Sequence, residues 1–121
     1  IIRKAKGKME TMNMSYNDLK KILNEYNWDD GFEIPKKILS NQDCDLALAL
    51  EIFYLADGFA YLEGFVKESK LEEWEQFIDT LYKDILSGKY SKTSSHYEIP
   101  LTKVQKYKFR KKSVPEIFLN L

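Results

Sequence analysis

The pentapeptide Asn27-Trp28-Asp29-Asp30-Gly31 separates two helix-like segments, and further on Asp43-Cys44-Asp45 opens the strongly apolar run that ends at Ala56. A Trp anchor followed by two carboxylates and a Gly specifies a tight corner, because the ring has a large area to bury, the carboxylates accept from exposed amides and Gly tolerates the turn. The corner therefore predicts packed helices on either side, with Asp29 and Asp30 capping the second of them.

Upstream, Ser15 and Asp18 form a capping-box pattern, and Tyr16, Leu19, Ile22, Leu23 and Tyr26 recur at helical spacing, which predicts a helix from about Ser15 to Tyr26. Downstream, Pro35 suits the first turn of a short helix through Leu39, and Ser40, Asn41 and Gln42 form a loop. Asp43 is then expected to cap a third helix whose residues Leu46, Leu48, Leu50, Ile52, Phe53, Tyr54 and Leu55 are apolar on nearly every side, the mark of a central helix. Asp57 and Gly58 stop it.

The stretch from Phe59 to Glu68 reads equally as a short helix or an irregular link. Ser69 and Glu72 make another capping box, followed by Leu71, Trp74, Phe77, Ile78, Leu81, Tyr82, Ile85 and Leu86 at helical spacing, with Gly88 past the end. This helix carries Glu72, Glu73, Glu75, Asp79 and Asp84 outward against Lys83 alone. After a polar linker, Ile99 to Phe109 reads as a short strand or extended arm, and Ser113, Pro115 and Glu116 begin a last short helix ending in Leu119 and Leu121.

With 121 residues, 44% hydrophobic, the chain is expected to form one domain around one core. The expected fold is all-α: a small compact bundle of about five helices with a basic, partly extended C-terminal arm. Residues 1–14 read as a basic extension, 15–88 as the helical domain, and 89–121 as linker, basic arm and terminal helix packing on that domain. The true start is expected at Met9, Met12 or Met14, or upstream of the chain. A lone cysteine, Cys44, excludes an intramolecular disulfide and fits a reducing, cytoplasmic compartment. The apolar run is interrupted by Asp45 and Glu51 and falls short of the roughly 20 residues a membrane span needs, so no membrane partner is expected.

Nineteen acids and nineteen bases cancel overall but are segregated. Ile1 to Lys8 carries +4, Met9 to Glu98 carries 18 acids against 9 bases, and Ile99 to Leu121 carries six bases against Glu116. An acidic body repels nucleic acid over most of its surface and attracts a basic partner.

Chemistry-bearing groups are few. Asp29 and Asp30 could hold a cation or split their pKa values for acid–base work, but a capped turn is the commoner meaning of such a pair. Cys44 lacks a nearby base, since the one histidine, His96, lies in a Ser-rich linker beside Tyr97 and Glu98; a buried structural thiol is expected. No residues have zinc-ligand spacing, no Gly-rich loop cradles phosphate, and no nucleophile elbow occurs. An enzyme, a metal and a cofactor are therefore not expected. The arm Lys103, Lys106, Lys108, Arg110, Lys111 and Lys112, interleaved with Tyr107 and Phe109, has the composition of a nucleic-acid contact, but folding back onto the acidic body is the plainer expectation.

The block Asn27 to Gly31, the following Phe32 to Pro35, and the segment Cys44-Asp45-Leu46-Ala47-Leu48-Ala49-Leu50 continuing to Asp57 and Gly58 resemble the helical domain of unknown function 4274, found mainly in bacteria and their phages. The resemblance covers about Ser15 to Gly88. The family has Gly where this chain has Ala47, and both allow close helix approach. It brings no catalytic residues to carry over. Proteins that look like this, small, cysteine-poor and acidic in the body, are common among immunity proteins encoded beside bacterial toxins, an analogy of type rather than of mechanism. The expectation is a monomeric immunity protein that occludes a cognate basic toxin domain. Glu72, Glu73, Glu75 and Asp79 would steer the encounter, and Tyr61, Tyr82, Tyr90 and Tyr97 would anchor it. The alternative is a nucleic-acid-binding accessory domain that uses the basic arm.

Overall fold

A computed structural model describes residues 15–64 and 72–121. Among them are six α-helices and no strand: α1 (Tyr16–Glu25), α2 (Glu33–Leu39), α3 (Leu46–Leu55), α4 (Gly58–Leu62), α5 (Glu72–Leu86) and α6 (Lys103–Lys111). Short 3-10 turns occupy Trp28–Asp30 and Glu116–Phe118. The protein is all-α, and it divides into two compact units, Ile1–Cys44 and Asp45–Leu121. The Ser69–Glu72 capping box and Leu71, like the basic extension, involve residues outside those described.

In the first unit Ser15 caps α1, its hydroxyl accepting from the Asp18 amide while the Asp18 carboxylate accepts from the Ser15 amide. Leu19, Leu23, Ile38 and Leu39 are buried, and α1 contacts α2. The corner between them departs from the expected capping. Asn27, not an aspartate, accepts from the Asp29 amide at 3.0 Å, and α2 starts after Phe32 without a side-chain cap. Asp29 and Asp30 are themselves residues of the 3-10 turn, and neither side chain caps α2. Trp28 is half-buried rather than central, set edge-on to Tyr26 (5.5 Å) and Phe32 (6.4 Å). Gly31 has φ +95°, and the Tyr26 hydroxyl donates to its carbonyl at 2.6 Å.

The second unit is built on α3, which contacts α4 and α5 and buries Leu46 to Leu50, Ile52 and Phe53. Its cap is Asp45 rather than Asp43. The Leu48 amide donates to Asp45 Oδ1 at 2.9 Å, and the Thr93 hydroxyl donates to Oδ2 at 2.6 Å. Asp43 is instead held in the preceding turn, its amide donating to Asn41 Oδ1 at 2.8 Å. At the other end Ala56 caps α3 and Asp57 turns left-handed, φ 68°, so that α4 starts at Gly58. Trp74 donates its indole N–H to the Ala56 carbonyl at 2.6 Å, satisfying a helix-end acceptor.

Residues 103–109, expected as strand or arm, are helical. Thr102 and Gln105 form a capping box at its start, and Phe109 buries its ring against Phe59 at 5.4 Å. The alternation of Lys with aromatic residues mimics a strand, but the cap and the single inward ring select the helix. At its end Val114 and Ser113 amides donate to the Phe109 and Arg110 carbonyls, with Ser113 at φ 68° where Gly is usual. Ser113 therefore closes α6 instead of opening the terminal helix, which shrinks to the turn Glu116–Phe118.

Candidate partner-binding face

The amphipathic pattern of α5 puts Phe77, Ile78, Leu81 and Ile85 inside and leaves Glu72, Glu73 and Glu75 exposed. Gln76 donates to Glu72 at 3.4 Å, whereas Glu73 and Glu75 make no hydrogen bond or ion pair with a described residue. Further along, the stripe is partly neutralised: Lys83 pairs with Asp79 at 3.0 Å and Lys89 with Asp84 at 3.5 Å. The first of these pairs has i,i+4 spacing and is visible in the sequence. Of the acids of α5, Glu72, Glu73 and Glu75 are thus the ones without an ion pair to a described residue.

Asp79 also links this stripe to an aromatic cluster. The Tyr61 hydroxyl of α4 donates to Asp79 Oδ1 at 2.6 Å. This bond and the Lys83 ammonium hold the Asp79 carboxyl below the usual carboxylate range, while burial, then Asp79 itself, pushes the Tyr61 phenol up. The Tyr61 ring lies 5.2 Å from that of Tyr82, and Tyr82 stacks on Phe118 at 4.7 Å and 8°. Phe53 contacts Tyr61, Tyr82 and Phe118 from the α3 side. Tyr61 and Tyr82 are half-buried, each ring braced from within the unit.

The other two tyrosines singled out in the sequence stand apart from this arrangement. Tyr90 is 6% exposed, so its ring has little area to give to a partner. Tyr97 is half-buried, and burial together with the nearby Glu51 carboxylate pushes its phenol up to about 12. The structure thus brings together Tyr61, Tyr82 and Asp79, with Glu75 close enough to add to the upward shift of Tyr61. Phe118 is the member of the cluster that sequence reasoning missed, because nothing local to a C-terminal Phe tells that it will stack on α5.

His96 lies 3.5 Å from Glu98 with both side chains exposed, Cys44 is buried, and Asp29 and Asp30 are exposed at the corner. Among the described residues no group of three His, Cys, Asp or Glu side chains is placed to hold a metal ion. None of their helices is long and apolar enough to cross a membrane.

Residues 15–86 match the family model described as a domain of unknown function (DUF4274). The chain belongs to this family. Neither a curated protein nor a solved structure matches it. The DUF4274 match runs from the cap of α1 to the end of α5 and so takes in the corner motif, the Asp45 cap, Glu72, Glu73, Glu75 and the Tyr61–Asp79 bond. Tyr90, Tyr97, Phe118 and all of α6 lie beyond the DUF4274 residues.

Proposed function

We propose that this DUF4274 protein is a non-catalytic, cytoplasmic immunity protein that neutralises a cognate toxin domain, a basic nuclease, by binding it directly and covering its substrate cleft. The observation that carries the reading is the exposed turn Glu72, Glu73 and Glu75, with no cationic partner among the described residues, of which Glu75 lies near the braced ring of Tyr61. A nuclease cleft is cationic because it must hold phosphates. Clustered carboxylates accelerate the encounter with such a cleft, and pre-ordered aromatic rings lose little side-chain entropy on contact. A stable complex buries on the order of 800 Å² per partner, so the contact extends beyond this turn over neighbouring surface of α4 and α5.

The test uses the toxin domain encoded by the adjacent reading frame. Titrated into the purified domain, the wild-type chain is expected to abolish its nucleic-acid cleavage at equal stoichiometry. The triple variant Glu72→Lys, Glu73→Lys and Glu75→Lys is expected to associate at least about tenfold more slowly at low salt, with the difference shrinking as salt is added. Full protection by the triple variant with an unchanged association rate would reject the acidic face as the docking surface.

A further inference from the structure

The C-terminal segment holds six bases against one acid over residues 99–121. Had these cations folded back onto the carboxylates of α3 to α5, the segment would be a neutral clasp. Among the described residues they pair with none of those carboxylates. Arg110 makes two bonds to Glu116, from Nε at 3.0 Å and Nη2 at 2.7 Å. That pairing and a contact from Asn120 hold the Glu116 carboxyl down at about 2, so this acid is spent inside its own segment. Lys112 donates to the Glu63 carbonyl at 3.1 Å and Lys106 to Asn120 Oδ1 at 3.3 Å. Lys103, Lys108 and Lys111 remain exposed and make no ion pair with a described residue.

The helical turn gathers these three lysines. With 3.6 residues per turn, the buried Phe109 fixes the inward side of α6, and Tyr107 and Lys111 lie opposite it, flanked by Lys103, Val104 and Lys108. Tyr107 is 59% and Val104 61% exposed, and the Lys111 ammonium lies 5.6 Å from the Tyr107 ring centroid. An unpaired cationic face with an aromatic ring at its centre is therefore a property of the fold, and it lies outside the residues of the family match.

We propose that this face of α6 is a second binding site, which takes single-stranded nucleic acid: Lys103, Lys108 and Lys111 contact phosphates and Tyr107 stacks on a base. The charge is complementary to a phosphodiester backbone, and ring stacking uses the one surface that every base shares. A membrane surface would need more apolar area than Val104 and Tyr107 supply. The inference is independent of the inhibitor reading, which rests on α5.

Fluorescence anisotropy of the full chain with labelled oligouridylate and oligothymidylate tests it, with a labelled duplex, phosphatidylserine vesicles and polyglutamate as comparison ligands. Single strands are expected to bind at low salt with a log–log salt slope of about −2, the value for three phosphate contacts. Lys103→Glu, Lys108→Glu and Lys111→Glu combined are expected to abolish binding. Tyr107→Ala is expected to weaken the single strands at least about fivefold with little change in slope. These side chains project outward, and circular dichroism checks that each variant keeps its helices. No binding at low salt, binding unaffected by the lysine reversals, or affinity for vesicles or polyglutamate equal to that for single strands would overturn the proposal. Glu72→Lys, Glu73→Lys and Glu75→Lys together leave this site intact, so failure here and failure of the inhibitor reading are told apart.

Discussion

Gly58 has no room for a side chain. A Cβ at this position would lie 2.2 Å and 2.3 Å from two ring atoms of Phe53 and 2.7 Å from the Phe53 carbonyl oxygen. The ring could turn, but the carbonyl belongs to α3 and cannot move without opening the end of that helix. Gly58→Ala is therefore expected to lower stability by about 3 kcal/mol, read from urea unfolding at an unchanged m-value. Only the first part of this was legible in the sequence: Gly after Asp57 announces the end of a helix, but the close approach that forbids a methyl group depends on where α4 places its backbone. The same holds at the corner, where Asn27-Trp28-Asp29-Asp30-Gly31 announces a turn while the choice of Asn27 as the cap depends on the turn being a 3-10 helix.

At the scale of the element, α3 shows how one cap joins distant parts of the chain. Asp45 accepts from the Leu48 amide with one carboxylate oxygen and from the Thr93 hydroxyl with the other, while the Leu46 amide donates to the Ser91 carbonyl at 2.8 Å. Asp45→Ala removes the cap and leaves the Thr93 hydroxyl without this acceptor. A loss of about 2 kcal/mol is expected, and Thr93→Val should cost less because the Leu48 bond survives it. A double-mutant cycle by thermal unfolding checks the coupling. Either aspartate beside Cys44 could have served by sequence alone. Asp45 wins because it directly precedes the helix and its carboxylate also receives Thr93, whereas Asp43 is drawn into the Asn41 turn. The strand expectation fails at α6 for a related reason: Lys106 to Phe109 alternate Lys and aromatic residues with the period of a strand, and the Thr102–Gln105 box that decides the matter is a two-residue signal.

Across the Asp45–Leu121 unit, the last residues are fastened to the middle of the chain. The Tyr54 hydroxyl donates to the Phe118 carbonyl at 2.6 Å across 64 residues, and the Phe118 ring, fully buried, stacks on Tyr82 and touches Phe53. Phe118→Ala is expected to cost about 4 kcal/mol, a large part of the stability of a small domain, and to loosen Tyr82 and Tyr61. Near-ultraviolet circular dichroism and urea unfolding measure the two effects. Unchanged tyrosine ellipticity in a folded variant would show that the cluster does not depend on the tail. The charge of this unit is likewise distributed by the fold. The sequence shows acids in the body, bases at the end and the i,i+4 spacing of Asp79 and Lys83, but only the folded chain shows that Arg110 is taken by Glu116, leaving Glu72, Glu73 and Glu75 on α5 and Lys103, Lys108 and Lys111 on α6 without an ion pair to a described residue.

By itself the sequence determined the helical class, the caps of α1 and the apolar faces of α3 and α5, because these depend on residues within a turn or two of one another and on a periodicity that can be counted. It also determined which charges were present. Tertiary structure alone decided which tyrosines were braced against one another and which were buried, and that Phe118 completes the cluster. Those outcomes arise from pairs of residues far apart in the chain, and no local pattern encodes the distance between them once the chain has folded.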